Sequence, residues 1–175
     1  MAKIAGEHEE GVAVLELLLA LPVVAMILVG VVFGVTSAAR SYLELRAQVE
    51  VRQEVQQAMA RILEDCLSAT AVKQSSGAES LRIYKGQSAV KDYFVNEDSH
   101  HLRKLVENRP QYPMTGNHVW AQVAVTAFGY SEVDPVRKPG LYRVWLEAKS
   151  TRYGSKPYRL AAEFYLPPER PGAGT

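Results

Sequence analysis

The chain has 175 residues, enough for one domain with an appendage, and its net charge of +1 averages unlike segments. One cysteine, Cys66, excludes an intramolecular disulfide, so the fold rests on its core alone. No P-loop, nucleophile elbow or dinucleotide-binding glycine pattern occurs and His100-His101 has no partner at a metal-ligand offset, so nothing reads as catalytic and no cofactor or metal is expected.

The first 16 residues carry Lys3 against Glu7, Glu9, Glu10 and Glu16. From Leu17 to Ala39 there follow 23 residues without a charge. At about 1.5 Å per residue a helix of that length spans roughly 34 Å, against a hydrocarbon core of about 30 Å. The physical default is a membrane span, and three versions of it compete. A cleaved secretory signal could be cut near Ser37-Ala38-Ala39, but the apolar run is too long and the leading segment acidic. A plain signal anchor leaves Glu16 unexplained, since a carboxylate inside a span costs up to about 3 kcal/mol. The third version accounts for the carboxylate.

Gly11 is followed by Val12, Ala13, Val14, Leu15 and then Glu16, at the head of the uncharged run. This resembles the type IV prepilin signal, in which a Gly precedes the cut and a Glu stands fifth after it. The resemblance implies cleavage between Gly11 and Val12 by a membrane prepilin peptidase, with N-methylation of Val12. It makes residues 1–11 a leader and gives Glu16 the task of pairing with an α-amine, so setting register during assembly. An amine with a reference pKa near 7.7–8.0 in an apolar bundle needs such a partner. The flanking charges do not give this orientation, because Arg40, Arg46 and Arg52 outnumber Lys3, and the head-outside orientation is implied by the resemblance. Within the run, Pro22 removes a bond to the Leu18 carbonyl and is expected to bend the helix. Gly30 and Gly34 form a small-x-x-x-small pair at which another helix can approach.

From Ser37 to Leu67 there is neither Gly nor Pro, and helix formers dominate. The expectation is one helix from Val14 to about Leu67, roughly 80 Å long. Its residues 12–39 would be the membrane and assembly half, and residues 40–70 would pack on a head. Val35, Ala38, Tyr42, Leu45, Val49, Met59, Leu63 and Cys66 recur at heptad spacing, with Arg52 and Gln56 interrupting. Cys66 falls in that stripe and reads as a small core residue.

After "KQSSGAES" the period changes to that of strands: Leu81–Tyr84, Val90–Val95, His101–Leu105, Val119–Phe128, Leu141–Lys149 and Tyr158–Leu166. In "LYRVWLEAK" the alternation puts Tyr142, Val144, Leu146 and Ala148 on the core side. Residues 71–166 are thus an antiparallel β head, with connectors at Glu107–His118 and Gly129–Gly140 and a flexible tail at 167–175. The fold class is α+β: a long N-terminal helix packed on an antiparallel sheet. From Ala71 onward 15 Lys/Arg stand against 10 Asp/Glu, an excess too small and scattered to argue nucleic-acid binding and no argument against it.

The order of elements also resembles the larger minor pilins and pseudopilins. The resemblance implies a subunit, not an enzyme, of a type IV pilus or type II secretion pseudopilus, or of a competence system for DNA uptake. Its implied partners are prepilin peptidase, other major and minor pilins or pseudopilins, an inner-membrane assembly platform and membrane lipid. The competing function is a signal-anchored extracytoplasmic binding domain that never polymerises.

Overall fold

The computed structural model describes residues 3–74, 80–107, 111–116, 122–153 and 156–167, with side chains described from Val14 onward. Two structural units divide the chain, Met1–Leu43 and Glu44–Thr175. One helix, α1, runs from Lys3 to Leu67 and includes Pro22 without a break in helical assignment. Among the described residues eight strands follow: β1 (Ala71–Lys73), β2 (Ser80–Lys85), β3 (Ser88–Val95), β4 (Leu102–Val106), β5 (Tyr112–Pro113), β6 (Val123–Asp134), β7 (Lys138–Ser150) and β8 (Tyr158–Tyr165). The fold is α+β, a long N-terminal helix packed on antiparallel sheets, as the sequence leads one to expect.

The strands form two meanders, β1-β2-β3-β4-β5 and β6-β7-β8, each in chain order. Local chemistry sets the turns. Gly86, with φ +67°, opens the two-residue turn between β2 and β3, where a primed hairpin turn needs a positive φ. The β3–β4 loop closes on Asn96, whose side-chain oxygen accepts bonds from the Ser99 amide (2.9 Å) and hydroxyl (3.0 Å). A backbone bond from Val125 N–H in β6 to the His100 carbonyl, at 2.7 Å, ties the β3–β4 loop to the second sheet.

The core lies between the sheets and the Glu44–Leu67 part of α1. From the helix come Val51, Val55, Met59, Ile62 and Cys66, and from the strands Leu81, Ile83, Tyr93, Leu102, Val144 and Leu146, all buried. Val144, Leu146 and Ala148 point inward as the alternation in β7 predicts, and Tyr142 is half-buried beside them. The helical stripe differs from the heptad reading. Met59 and Cys66 are buried, but Leu45 and Val49 are 62% and 52% exposed, and Ala47, Val51, Val55 and Ala58 form the packed face instead.

Three further differences concern strands. β1 and β5 carry no strand signal long enough to see, and they form by pairing with β2 and β4. The Gly129–Gly140 segment, expected as a connector, is the end of a long hairpin: β6 continues to Asp134 and β7 begins at Lys138. Asp134 Oδ1 accepts from the amides of Val136 (3.2 Å) and Arg137 (3.0 Å), an Asx turn that closes it. The expected tail, apart from Pro167, and the first residues of the expected 119–128 strand lie outside the described residues.

Candidate functional site

Among the N-terminal unit's residues whose side chains are described, the chemistry is that of an apolar surface with one carboxylate, Glu16. Every large apolar side chain from Val14 to Val35 is more than half exposed. Glu16 is exposed on the same helix, one residue before the uncharged run. Gly11 and Val12 have helical backbone, but their side-chain surroundings lie outside the described residues. A Cβ built at Gly30 or Gly34 would meet nothing within 4 Å, so no other described part of the chain approaches them. α1 is long and apolar enough to cross a membrane. In water such a surface is unfavourable by about 25 cal/mol for each Å² of apolar area.

In the second unit the most concentrated chemistry is at the last turn of α1. There Asp65, itself buried, accepts from Lys91 Nζ at 2.5 Å, Lys104 Nζ at 2.8 Å and the Tyr93 hydroxyl. A carboxylate in a last turn faces the negative end of the helix dipole, and this last turn has no basic residue of its own. The two ammonium groups, reaching from β3 and β4, supply the missing positive charge. Burial pushes the Asp65 carboxyl pKa up, but the bonds from Lys104, Lys91 and Tyr93 outweigh it, and the net shift is downward. Burial, reinforced by the bond to Asp65, raises the Tyr93 hydroxyl pKa. Next to it the Cys66 thiol is pushed up to about 12, first by burial and then by the Asp65 charge.

A second fastening lies nearer the middle of the packed helix. Glu54 is 7% exposed and accepts the Gly116 amide on Oε2 at 2.8 Å, while its buried Oε1 has no partner among the described residues. Gly116 has φ +80°, and a Cβ there would lie 2.2 Å from the His101 ring, so glycine is required on both counts. His101 is thus half-buried packing, whereas His100 is exposed in a turn with φ +52°. No group of three metal-ligating side chains exists among the described residues.

Sequence reasoning missed Asp65, Lys91, Tyr93, Lys104 and Glu54. A signal existed for the first three: Asp65 adjoins Cys66 of the stripe, and Lys91 and Tyr93 share one face of β3. What was lacking was any way to know that these two faces meet. Comparison of the chain with protein-family models, curated proteins and solved structures found no match.

Proposed function

We propose that the chain is a minor pilin or pseudopilin. It is made as a precursor in the inner (cytoplasmic) membrane with its head outside the cytoplasm, cut by prepilin peptidase after Gly11, and assembled through α1 into a type IV pilus or secretion pseudopilus. Its place is at initiation or at the tip. One observation carries the reading: the Gly11-Val12 pair with Glu16 fifth after the bond, at the head of 23 uncharged residues. Two others support it. The apolar side chains of α1 from Val14 to Val35 are exposed and need an outside partner, and α1 is continuous from Lys3 to Leu67.

The chemistry of assembly follows from Glu16. Cleavage leaves an α-amine on Val12, and in an apolar bundle an unpaired ammonium or carboxylate is costly. A staggered neighbour brings its amine to Glu16, so charge pairing fixes the axial register while apolar contact supplies the affinity. Intact-mass measurement of the protein from its native membrane should show loss of residues 1–11 with one added methyl group. A chain that is uncut, or that starts at Arg40, would refute the proposal. Glu16→Ala should still be cut, because the scissile bond and the apolar run are unchanged, but its recovery in sheared fibres should fall. An anchored binding domain, by contrast, would keep its activity when cleavage is blocked by substitution at Gly11.

A further inference from the structure

Glu50, Gln53, Glu54 and Gln57 stand at positions i, i+3, i+4 and i+7 of α1, so their side chains share one face of the helix. That face lines a cavity of about 180 Å³. All four residues belong to the Glu44–Thr175 unit.

Each glutamate has one oxygen held by a donor and a second that is not. Glu54 Oε2 accepts the Gly116 amide at 2.8 Å, and Glu50 Oε1 accepts Arg46 Nε at 3.2 Å. Glu54 Oε1 and Glu50 Oε2 are both buried, and neither has a partner among the described residues. Glu54 as a whole is only 7% exposed, so bulk water does not solvate its second oxygen. A buried carboxylate oxygen without a donor is costly, and two carboxylates one helical turn apart repel each other. Positive charge placed in the cavity relieves both penalties at once.

We infer that this face of α1 binds one calcium ion. Glu50 Oε2 and Glu54 Oε1 are its charged ligands, each through a single oxygen because the other oxygen of each is already bonded. The amide oxygens of Gln53 and Gln57, with water, complete the shell. The chemistry selects among cations. The four side chains offer oxygen ligands, which suit a hard ion, whereas structural zinc sites are built from cysteine and histidine. Magnesium demands a near-ideal octahedron, but calcium accepts the irregular set that one helix face presents. The cavity also has room for the waters such a shell needs, at about 30 Å³ each. The carboxylates are oriented in advance, since the Gly116 amide and the Arg46 guanidinium hold them from outside the shell. Gly116 is itself fixed, by its φ of +80° and by the His101 ring packed against it.

The test uses the full chain in detergent micelles, stripped with EDTA, dialysed free of it and titrated with calcium chloride by calorimetry. One calcium should bind per chain with a dissociation constant of about 10⁻⁴–10⁻³ M, the range of sites with few charged ligands. The melting temperature should rise with calcium concentration, because binding to the folded chain stabilises it. Magnesium chloride should bind about tenfold more weakly or worse. Glu54→Gln keeps an oxygen for the Gly116 amide but loses the charge, and should weaken calcium binding about tenfold or more. Glu50→Gln should do the same, and it decides alone if the Glu54 variant fails to fold. Glu64→Gln, exposed elsewhere on α1, should leave the affinity unchanged. Absence of calcium binding up to about 10 mM overturns the inference, as does an affinity that Glu50→Gln leaves intact. Equal affinity for magnesium overturns it too, and so does a calcium-dependent rise in melting temperature that both variants retain. None of these readouts involves Gly11 or the apolar run, so their failure leaves the proposed function standing.

Discussion

Asp65 and Glu16 are both acids on α1, yet only Glu16 stands out in the sequence. Its neighbours for 23 positions are uncharged, so one carboxylate is conspicuous; Asp65 stands among Arg61, Glu64 and other polar residues and looks like part of a solvated face. Its partners, Lys91 and Lys104, lie 26 and 39 residues away, beyond the reach of any local pattern. The pH behaviour of the head should report this cluster. Because the folded pKa of Asp65 is lowered, its contribution is complete above the ordinary carboxylate range and is lost as pH falls through the folded value. Asp65→Asn should therefore cost about 2 kcal/mol near neutrality, in line with hydrogen bonds to charged groups. The gap between variant and wild type should narrow as pH falls below the ordinary carboxylate range. Urea denaturation at a series of falling pH values measures both; a gap that does not narrow would show that packing, not charge, is lost in the variant.

α1 carries two apolar stripes in its second half, and reading the bulkier one led to the wrong face. Tyr42, Leu45 and Val49 are large and heptad-spaced, whereas the packed face uses small or short residues, Ala47, Val51, Val55 and Ala58. At about 100° per residue Ala47 and Val51 lie nearly opposite Val49, and of the heptad positions Met59 and Cys66 fall on the packed face. Size does not decide which stripe is buried; the space left by the sheets does. The same limit applies to the β6–β7 hairpin, where Gly129, Pro139 and Gly140 read as loop punctuation although all three lie within the strands. The strand centres, in contrast, were legible, since alternation is a local property and β7 shows it over most of its length. The helix reading has a direct check. Ile62→Ala removes a side chain with no exposure and should destabilise the head by about 2–5 kcal/mol. Leu45→Ala should change it by no more than about 0.5 kcal/mol. Chemical denaturation of the two variants separates the stripes, and a large loss at Leu45 would restore the heptad face.

For the molecule as a whole, the division at Leu43 and Glu44 separates two units with different surfaces. From Val14 to Val35 every large apolar side chain is exposed, whereas from Ala47 the helix belongs to the core of the head. A chain beginning at Ser41 should accordingly be soluble and fold cooperatively. It retains Val51, Val55, Met59, Ile62 and Cys66, the Asp65 bonds to Lys91 and Lys104, and the Glu54 bond to Gly116. With no disulfide to help, its stability should fall in the ordinary range of about 5–15 kcal/mol. A chain beginning at Ala71 keeps every strand but exposes the inward faces of Leu81, Ile83, Tyr93, Val144 and Leu146. It also leaves the Lys91 and Lys104 ammonium groups without their carboxylate beside newly bared apolar surface. Burial of the strands' apolar faces is the main force holding the two sheets together, and without α1 that force has no third surface to act through. The shorter chain should aggregate on refolding. If it melts as cooperatively as the longer one and at the same temperature, the helix is no part of the head's core, and the apolar face assigned to Ala47–Cys66 must be covered by something else.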